Sequence, residues 1–497
     1  MVRGAMSWPH RLWFGAIFVV GIFYCLAFPP FQTNDEDAHW LHMWSVVYGH
    51  LRCETPKPLS ATQFLTFVHQ KEVREDPAYF RVQYLRDAAR WSLTGEPMTT
   101  VDGTACRYPP MAYVLPGGVA RLVAFGRHGE RRGGMLYAAW AARLANWVFM
   151  SLGILLLCWQ LPWCRNVALF FYSIPEAIQQ GMAINNDSFL VAMTAVVLVL
   201  AFGRRPAAWK LPIIGLCVGM MTMIKPVYAP LGAVGVILWE RLYALHRWRW
   251  RDLAAGAAAV LVPFAMQSLW THWLNYGVVV DPARVQLDYG RARATAQLEF
   301  LSRHHSIVFP LMWHQLRDFF FSDDLMKGSW ISVFGAFGWS MFTMDRWAYD
   351  LLLVAAALAL TLDIVAAAPS PDLPAPTRRG IVALVLAAGA VEVTVVGVIL
   401  GMYVYFSGAF LNRIGANEVI GVQGRYHHIA ILLWAAMLLH GVRRRREWSA
   451  SARTLLPAIV TLTLFLCVLA NVEALHAILG RFYGSYFATH EAAPRHY

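Results

Sequence analysis

The sequence predicts an all-α, polytopic integral membrane protein, and three observations carry that prediction. The chain of 497 residues is 58% hydrophobic and only 14% charged, and its mean hydropathy is +0.44. Apolar runs of about 16 to 25 residues recur along the whole length, as helices crossing a hydrocarbon layer require. The basic residues gather in short loops between those runs, which is the charge asymmetry of a multi-pass protein. A soluble chain of this size needs far more polar surface, so a bilayer is the solvent. Counting the runs gives roughly eleven to thirteen helices, in a single membrane domain over residues 1–497.

The first apolar run, Leu12 to Pro30, follows Arg3 and Arg11 and leads to no small-residue cleavage site, so it reads as a retained helix. Residues 31–108 then form a first extracytoplasmic loop that opens with Asn34-Asp35-Glu36-Asp37-Ala38-His39. Asn34 is a good N-cap, and Asp35 to Asp37 would fill a first helical turn, where the dipole favours anions. Trp40, Met43, Trp44 and Val47 follow at helical spacing and Gly49 ends the run, predicting an amphipathic juxtamembrane helix with aromatic anchors. A second such helix is expected over 79–93. Cys53 and Cys106 lie in the same loop. In an oxidising compartment they form a disulfide worth roughly 4 kcal/mol of chain entropy, and otherwise they are two unpaired thiols. Cys25, Cys158, Cys164, Cys217 and Cys467 lie in or beside apolar runs and read as packing residues.

The net charge of +12 is placed as a positive-inside signal rather than as a nucleic-acid surface. Arg204-Arg205 with Lys210, Arg247 to Arg251, Arg378-Arg379 and Arg443 to Arg446 mark cytoplasmic loops, where they also meet anionic headgroups. Residues 275–345 become a second extracytoplasmic loop. The last span ends near Asn471, which leaves 473–497 as an extracytoplasmic tail. Asp187 falls at the outer face, before the run Phe189 to Phe202. One conflict follows: three apolar segments, Met111 to Phe125, Leu136 to Trp159 and Val167 to Ala183, separate Asp35 from Asp187. An even number of crossings is needed to keep both outside, so one segment must be short, re-entrant or partial.

Several motifs recur in a familiar order: the acidic string after the first span, Tyr108-Pro109-Pro110, Asn186-Asp187 after Pro175, Lys225-Pro226, Gly335-Ala336-Phe337-Gly338-Trp339 and Gly421-Val422-Gln423-Gly424-Arg425-Tyr426. The series resembles the bacterial membrane-protein family called domain of unknown function 2142 over nearly the whole chain. The resemblance implies a branch of the GT-C glycosyltransferases, a multi-pass protein of the bacterial inner membrane with its active site on the periplasmic face. It further implies a polyprenyl-phosphate-linked sugar donor, a cell-surface glycan or lipid as acceptor, and an acidic residue of the first outer loop as base.

The residues fit that chemistry. Sugar transfer from a phospholipid needs a base for the acceptor hydroxyl and cationic help for the departing phosphate. Asp35 or Glu36 is the candidate base; on one helix they point about 100° apart, so one faces the acceptor while the other caps or binds metal. His39, one turn from Asp35, would orient that carboxylate or touch phosphate. Helix capping by all three acids is the competing reading. Asp187 with Asp35 could hold magnesium or manganese, hard cations that take oxygen ligands, although Asp187 also suits an N-cap. Lys225, Arg425 and Tyr426 are candidate phosphate contacts, against snorkelling for the lysine and an ion pair for the arginine. The rival functions are a flippase or exporter of lipid-linked sugar, and a polymerase or ligase of surface polysaccharide. Paired broken helices would favour transport.

Overall fold

A computed structural model describes residues 6–49, 51, 56–58, 64, 85, 88–89, 98–100, 108–125, 134–203, 205–244, 250–275, 289–322, 329–337, 342–366, 378–407, 414–416, 418–443 and 455–487. Cys53 and Cys106, nearly all of the helix expected over 79–93, and Gly338-Trp339 lie outside them. The described chain is helical almost throughout: α1 (Trp8–Ala27), α2 (Glu36–Val47), α3 (Met111–Phe125), α4 (Gly134–Gln160), α5 (Arg165–Tyr172), α6 (Pro175–Met182), α7 (Asp187–Phe202), α8 (Lys210–Ile224), α9 (Gly235–Ala244), α10 (Trp250–Asn275), α11 (Tyr289–Arg303), α12 (Val308–Phe321), α13 (Trp330–Gly335), α14 (Arg346–Ala366), α15 (Arg378–Met402), α16 (His428–Arg443) and α17 (Leu456–Phe487). In the first loop, β1 (Pro56–Pro58) pairs antiparallel with β2 (Met98–Thr100).

The protein is a polytopic membrane protein. Among the described residues six helices are long and apolar enough to cross a bilayer, or seven if α6 and α7, bent by 109°, make one span. Against the expected eleven to thirteen, several apolar runs among the described residues fold as short pieces. α3 and α8 have 15 residues each, α5 and α6 have 8, and α9 has 10. Proline sets many of these breaks. Pro162, Pro175 and Pro226 stand at the first turns of new helical pieces, where a missing N–H costs nothing.

The chain divides into two compact units: Met1–Ala195 with Phe337–Leu362 and Ser451–Tyr497, and Val196–Ala336 with Asp363–Ala450. In the first unit, contacts fix the run of each helix. His10 Nε2 bonds Asn166 at one end of α1 (3.1 Å), the Trp147 indole donates to the Phe18 carbonyl midway (3.0 Å), and Arg143 donates to the Phe28 carbonyl beyond the other end (2.6 Å). Helix α4 is therefore antiparallel to α1. From Asn166 the chain returns through α5 and α6 to Ala183, whose carbonyl accepts from Asn146 of α4 (2.7 Å). Of the three segments in question, α4 and the α5–α6 pair run the length of α1 in opposite senses. Helix α3 does not: it starts beside His39 through Tyr113 and leads away, its Ala124 against Gly134 of α4. Gly21 and Gly153 allow close packing here, since a Cβ at either would strike Trp147 or Ala192.

One expectation for a single element is corrected. Helix α2 is no surface helix: every residue from His39 to Val46 is buried, with Trp40 against Phe31, Phe64 and Trp44. Its cap is Asp35 rather than Asn34, without a side-chain cap hydrogen bond from Asp35. Gly49 ends the helix in the left-handed region (φ 79°), as its position predicts. Helix α17 continues to Phe487, well past Asn471. The five apolar-run cysteines are buried. In the second unit a 3-10 turn over Pro226–Val234 packs beside α8, α10 and α15, and Gly215 and Gly232 let the α10 backbone approach at Ala258 and Ala259.

Candidate functional site

The acidic string does not act as three equivalent carboxylates. Glu36 and Arg143 are both fully buried and form an ion pair at 2.5 Å. The Glu36 carboxylate accepts from Arg143 Nε (2.7 Å) and Nη2 (2.5 Å), the Phe31 amide (2.9 Å) and the Ile184 amide (3.1 Å). Four donors fill the lone pairs of a carboxylate. Arg143 spends its other donors on the carbonyls of Cys25 (3.3 Å), Phe28 (2.6 Å) and Pro29 (2.9 Å). Glu36 is thus a clamp that ties the end of α1, the turn before α2 and the turn before α7 into one block. It has no lone pair left for an acceptor hydroxyl.

Asp35 is placed differently. Phe31 and Asp35 are the two non-glycine residues with positive φ among the described residues, at 65° and 60°. Such backbone costs energy and persists only where its surroundings impose it; the Glu36 clamp is that imposition. Residues 31–34 and Glu36 are buried, whereas Asp35 is partly exposed. Asp187 repeats the pattern, partly exposed after the buried run 183–186. Asn185 fixes it, accepting from the Asp187 amide (2.9 Å) and donating to its Oδ2 (3.4 Å) and to Gln180 Oε1 (2.9 Å). Gln180 in turn donates to Glu176 (2.8 Å).

Tyr113 joins the two turns. Its hydroxyl shares a hydrogen bond with His39 Nδ1 (2.5 Å) and another with the Asn186 side chain, and both Asp35 and Asp187 act on it electrostatically. His39 stacks on Tyr108 with centroids 5.2 Å apart, and His42 Nε2 donates to the Tyr108 carbonyl (2.9 Å). His39 therefore turns its Nδ1 to Tyr113. Arg143, Tyr113 and Asn186 were not singled out from sequence as members of this site. For Arg143 a signal existed, since an arginine inside an apolar run marks a partnered or functional charge.

The three predicted cationic and aromatic contacts meet in the second unit. Lys225 Nζ lies 4.5 Å from the Tyr426 ring centroid, and the Arg425 guanidinium 5.3 Å from it. Lys225 is placed by the break between α8 and the turn at Pro226. Arg425 and Tyr426 are placed by Gly424, which lies against the Ser332–Val333 backbone with no room for a Cβ. His428 Nε2 donates to the Val333 carbonyl (2.9 Å), locking the same contact. Burial, with His428 next, holds His427 down at about 4, so its ring is neutral at physiological pH. Two cations over one tyrosine form a cluster suited to an anion.

For a divalent metal, the two turns that Glu36 ties together lead to one carboxylate each, Asp35 and Asp187. No group of three or more His, Cys, Asp or Glu side chains among the described residues is arranged to hold an ion. A protein-only site is therefore not formed by these residues. Magnesium held by two carboxylates would depend on substrate oxygens for its remaining ligands.

No curated protein and no solved structure matches the chain. Residues 18–433 match the family model described as "Predicted membrane protein (DUF2142)", a stretch that includes the clamped turn, Asp187, Lys225 and Arg425, and the chain belongs to that family.

Proposed function

We propose that the protein is a GT-C-type glycosyltransferase that moves a sugar from a polyprenyl-phosphate donor to a glycan or lipid at the extracytoplasmic face of the bacterial inner membrane. The observation that carries the reading is the division of labour at the acidic turn. Glu36 is locked into a structural pair, while Asp35 stays partly exposed on left-handed backbone, in a turn that Glu36 ties to the one before the partly exposed Asp187. Strain of this kind collects at active sites. In the proposed reaction the Asp35 carboxylate takes the proton of the acceptor hydroxyl. That oxygen attacks the anomeric carbon, and the polyprenyl phosphate leaves with the bonding pair of the C–O bond. Within the second unit, Lys225 and Arg425 are proposed ligands of an anionic headgroup, and chelation tests for any metal requirement.

The test is donor turnover by purified protein, followed by mass spectrometry over a panel of polyprenyl-phosphate sugars and glycan acceptors, with and without EDTA. Asp35→Asn should abolish turnover while folding normally, because asparagine tolerates the left-handed region. Full turnover by Asp35→Asn would remove the base assignment. A second reading, transport of a lipid-linked sugar, draws on the 109° break between α6 and α7, with Asn185-Asn186-Asp187 at the break; broken helices of this sort line transporter sites. Lipid-linked sugar that crosses proteoliposome bilayers without chemical change would favour it.

A further inference from the structure

The clamped block contains polar side-chain atoms that neither the fold nor the proposed base uses. Thr33, Asn34 and Asn186 are 0%, 1% and 3% exposed. Thr33 Oγ1, both amide atoms of Asn34, and Asn186 Oδ1 meet no hydrogen-bonding partner among the described residues. A buried amide or hydroxyl left in this state costs free energy, and native folds rarely tolerate several together. They are together here. Glu36 Oε2 accepts from Phe31 of the first turn and Oε1 from Ile184 of the second, so one carboxylate holds the two turns side by side. Thr33 and Asn34 immediately precede Asp35, and Asn186 immediately precedes Asp187. The Asn186 side chain also contacts Tyr113, whose surroundings include Asp35.

We propose that Thr33, Asn34 and Asn186 form a subsite for a neutral polyhydroxylated ring, the sugar itself, next to the Asp35 carboxylate. The chemistry selects that class. Four unmatched atoms include both amide donors and acceptors and carry no charge, which suits hydroxyls that donate and accept, not a phosphate. A hydroxyl recognised by buried amides is strongly distinguished from its absence, because a ligand without it leaves the amides unmatched. The assignment deepens the glycosyltransferase reading and rests on it for the identity of the natural ligand.

The test uses the full-length protein in a detergent without sugar headgroups. Affinities are measured for undecaprenyl phosphate and for undecaprenyl phosphate carrying glucose, mannose or 4-amino-arabinose. Wild type should bind at least one glycosylated lipid about tenfold more tightly than the bare phosphate, the worth of one or two good hydrogen bonds. Thr33→Val and Asn34→Ala should reduce that preference while leaving affinity for undecaprenyl phosphate unchanged. Both variants should melt no lower than wild type without ligand, because each removes an unmatched buried polar group. Thr33→Val keeps the side-chain shape if Asn34→Ala disturbs the turn. A second arm measures thermal shifts with the methyl glycosides of the same sugars. Lipid binding with no sugar preference, or with a preference that survives both substitutions, overturns the subsite and leaves the glycosyltransferase reading standing. No lipid binding, with glycoside shifts that vanish in the variants, overturns that reading and keeps the subsite. Neither response overturns both.

Discussion

At the residue scale, two adjacent carboxylates have different fates because of a partner 107 positions away in sequence, Arg143. No local pattern distinguishes Asp35 from Glu36, so the acidic cluster was legible in the sequence and its division was not. The clamp makes a stability prediction. Removing one partner of a buried ion pair leaves an uncompensated charge and costs about 3–5 kcal/mol. Arg143→Met should therefore lower the melting temperature sharply, and Asp35→Asn should leave it almost unchanged. Equal melting of the two variants in one detergent would refute the clamp. His427 supplies a prediction about pH. Its folded value, about 4, lies below the ordinary histidine value of roughly 6.5, so the unfolded chain takes up the proton first. Its contribution to stability is complete above the unfolded value and is lost as pH falls through this window. The melting temperature should drop from pH 7 to pH 5, and His427→Gln should flatten that drop. A parallel decline in both proteins would assign the effect to other groups.

At the element scale, hydrophobic runs predict helices well and their lengths poorly. Composition sees that Val167 to Ala183 is apolar. It does not weigh Pro175, which starts a new helix and leaves two pieces of 8 residues each. Helix α2 illustrates a different limit. Its aromatic spacing is that of an interfacial helix, but Trp40 packs against Phe31 and Phe64 from outside the helix, contacts that no periodicity encodes. The glycine-rich string before Arg425 was legible as a special segment, and its reason is tertiary: Gly424 touches the backbone of α13 at Ser332. Backbone cannot yield as a flexible side chain does, so Gly424→Ala must push the two segments apart. A loss of about 1–3 kcal/mol is expected for overpacking of this kind. The cluster of Lys225, Arg425 and Tyr426 should loosen with it, read as weaker binding of undecaprenyl phosphate. Wild-type stability and binding in Gly424→Ala would show that the segment repacks without cost.

At the scale of the whole molecule, charge and hydropathy made the membrane class legible, but not the path of the chain around the acidic turns. Parity required one of three segments between Asp35 and Asp187 to stay on one side, and the contacts of the first unit identify α3. Glu36 bonds the Ile184 amide, which puts the two turns at one level. Helix α4 descends along α1 from that level, and α5 with α6 climbs back. Helix α3 leaves the same level at Tyr113 and meets the start of α4 at Gly134. The connection around residue 129 should therefore share the compartment of the first loop. Charge alone points the other way, since Arg127, Arg131 and Arg132 lie in this connection and the positive-inside rule would send them to the cytoplasm. The two arguments differ at one place, and truncation fusions to alkaline phosphatase and to a green fluorescent protein can separate them. Fusions at residues 100 and 129 should report the same compartment, and a fusion at 161 the opposite one. A switch of compartment between 100 and 129 would make α3 a full crossing. The Glu36–Ile184 bond would then have to join two sides of a bilayer, which a single carboxylate cannot do, and the packing of the first unit would be wrong.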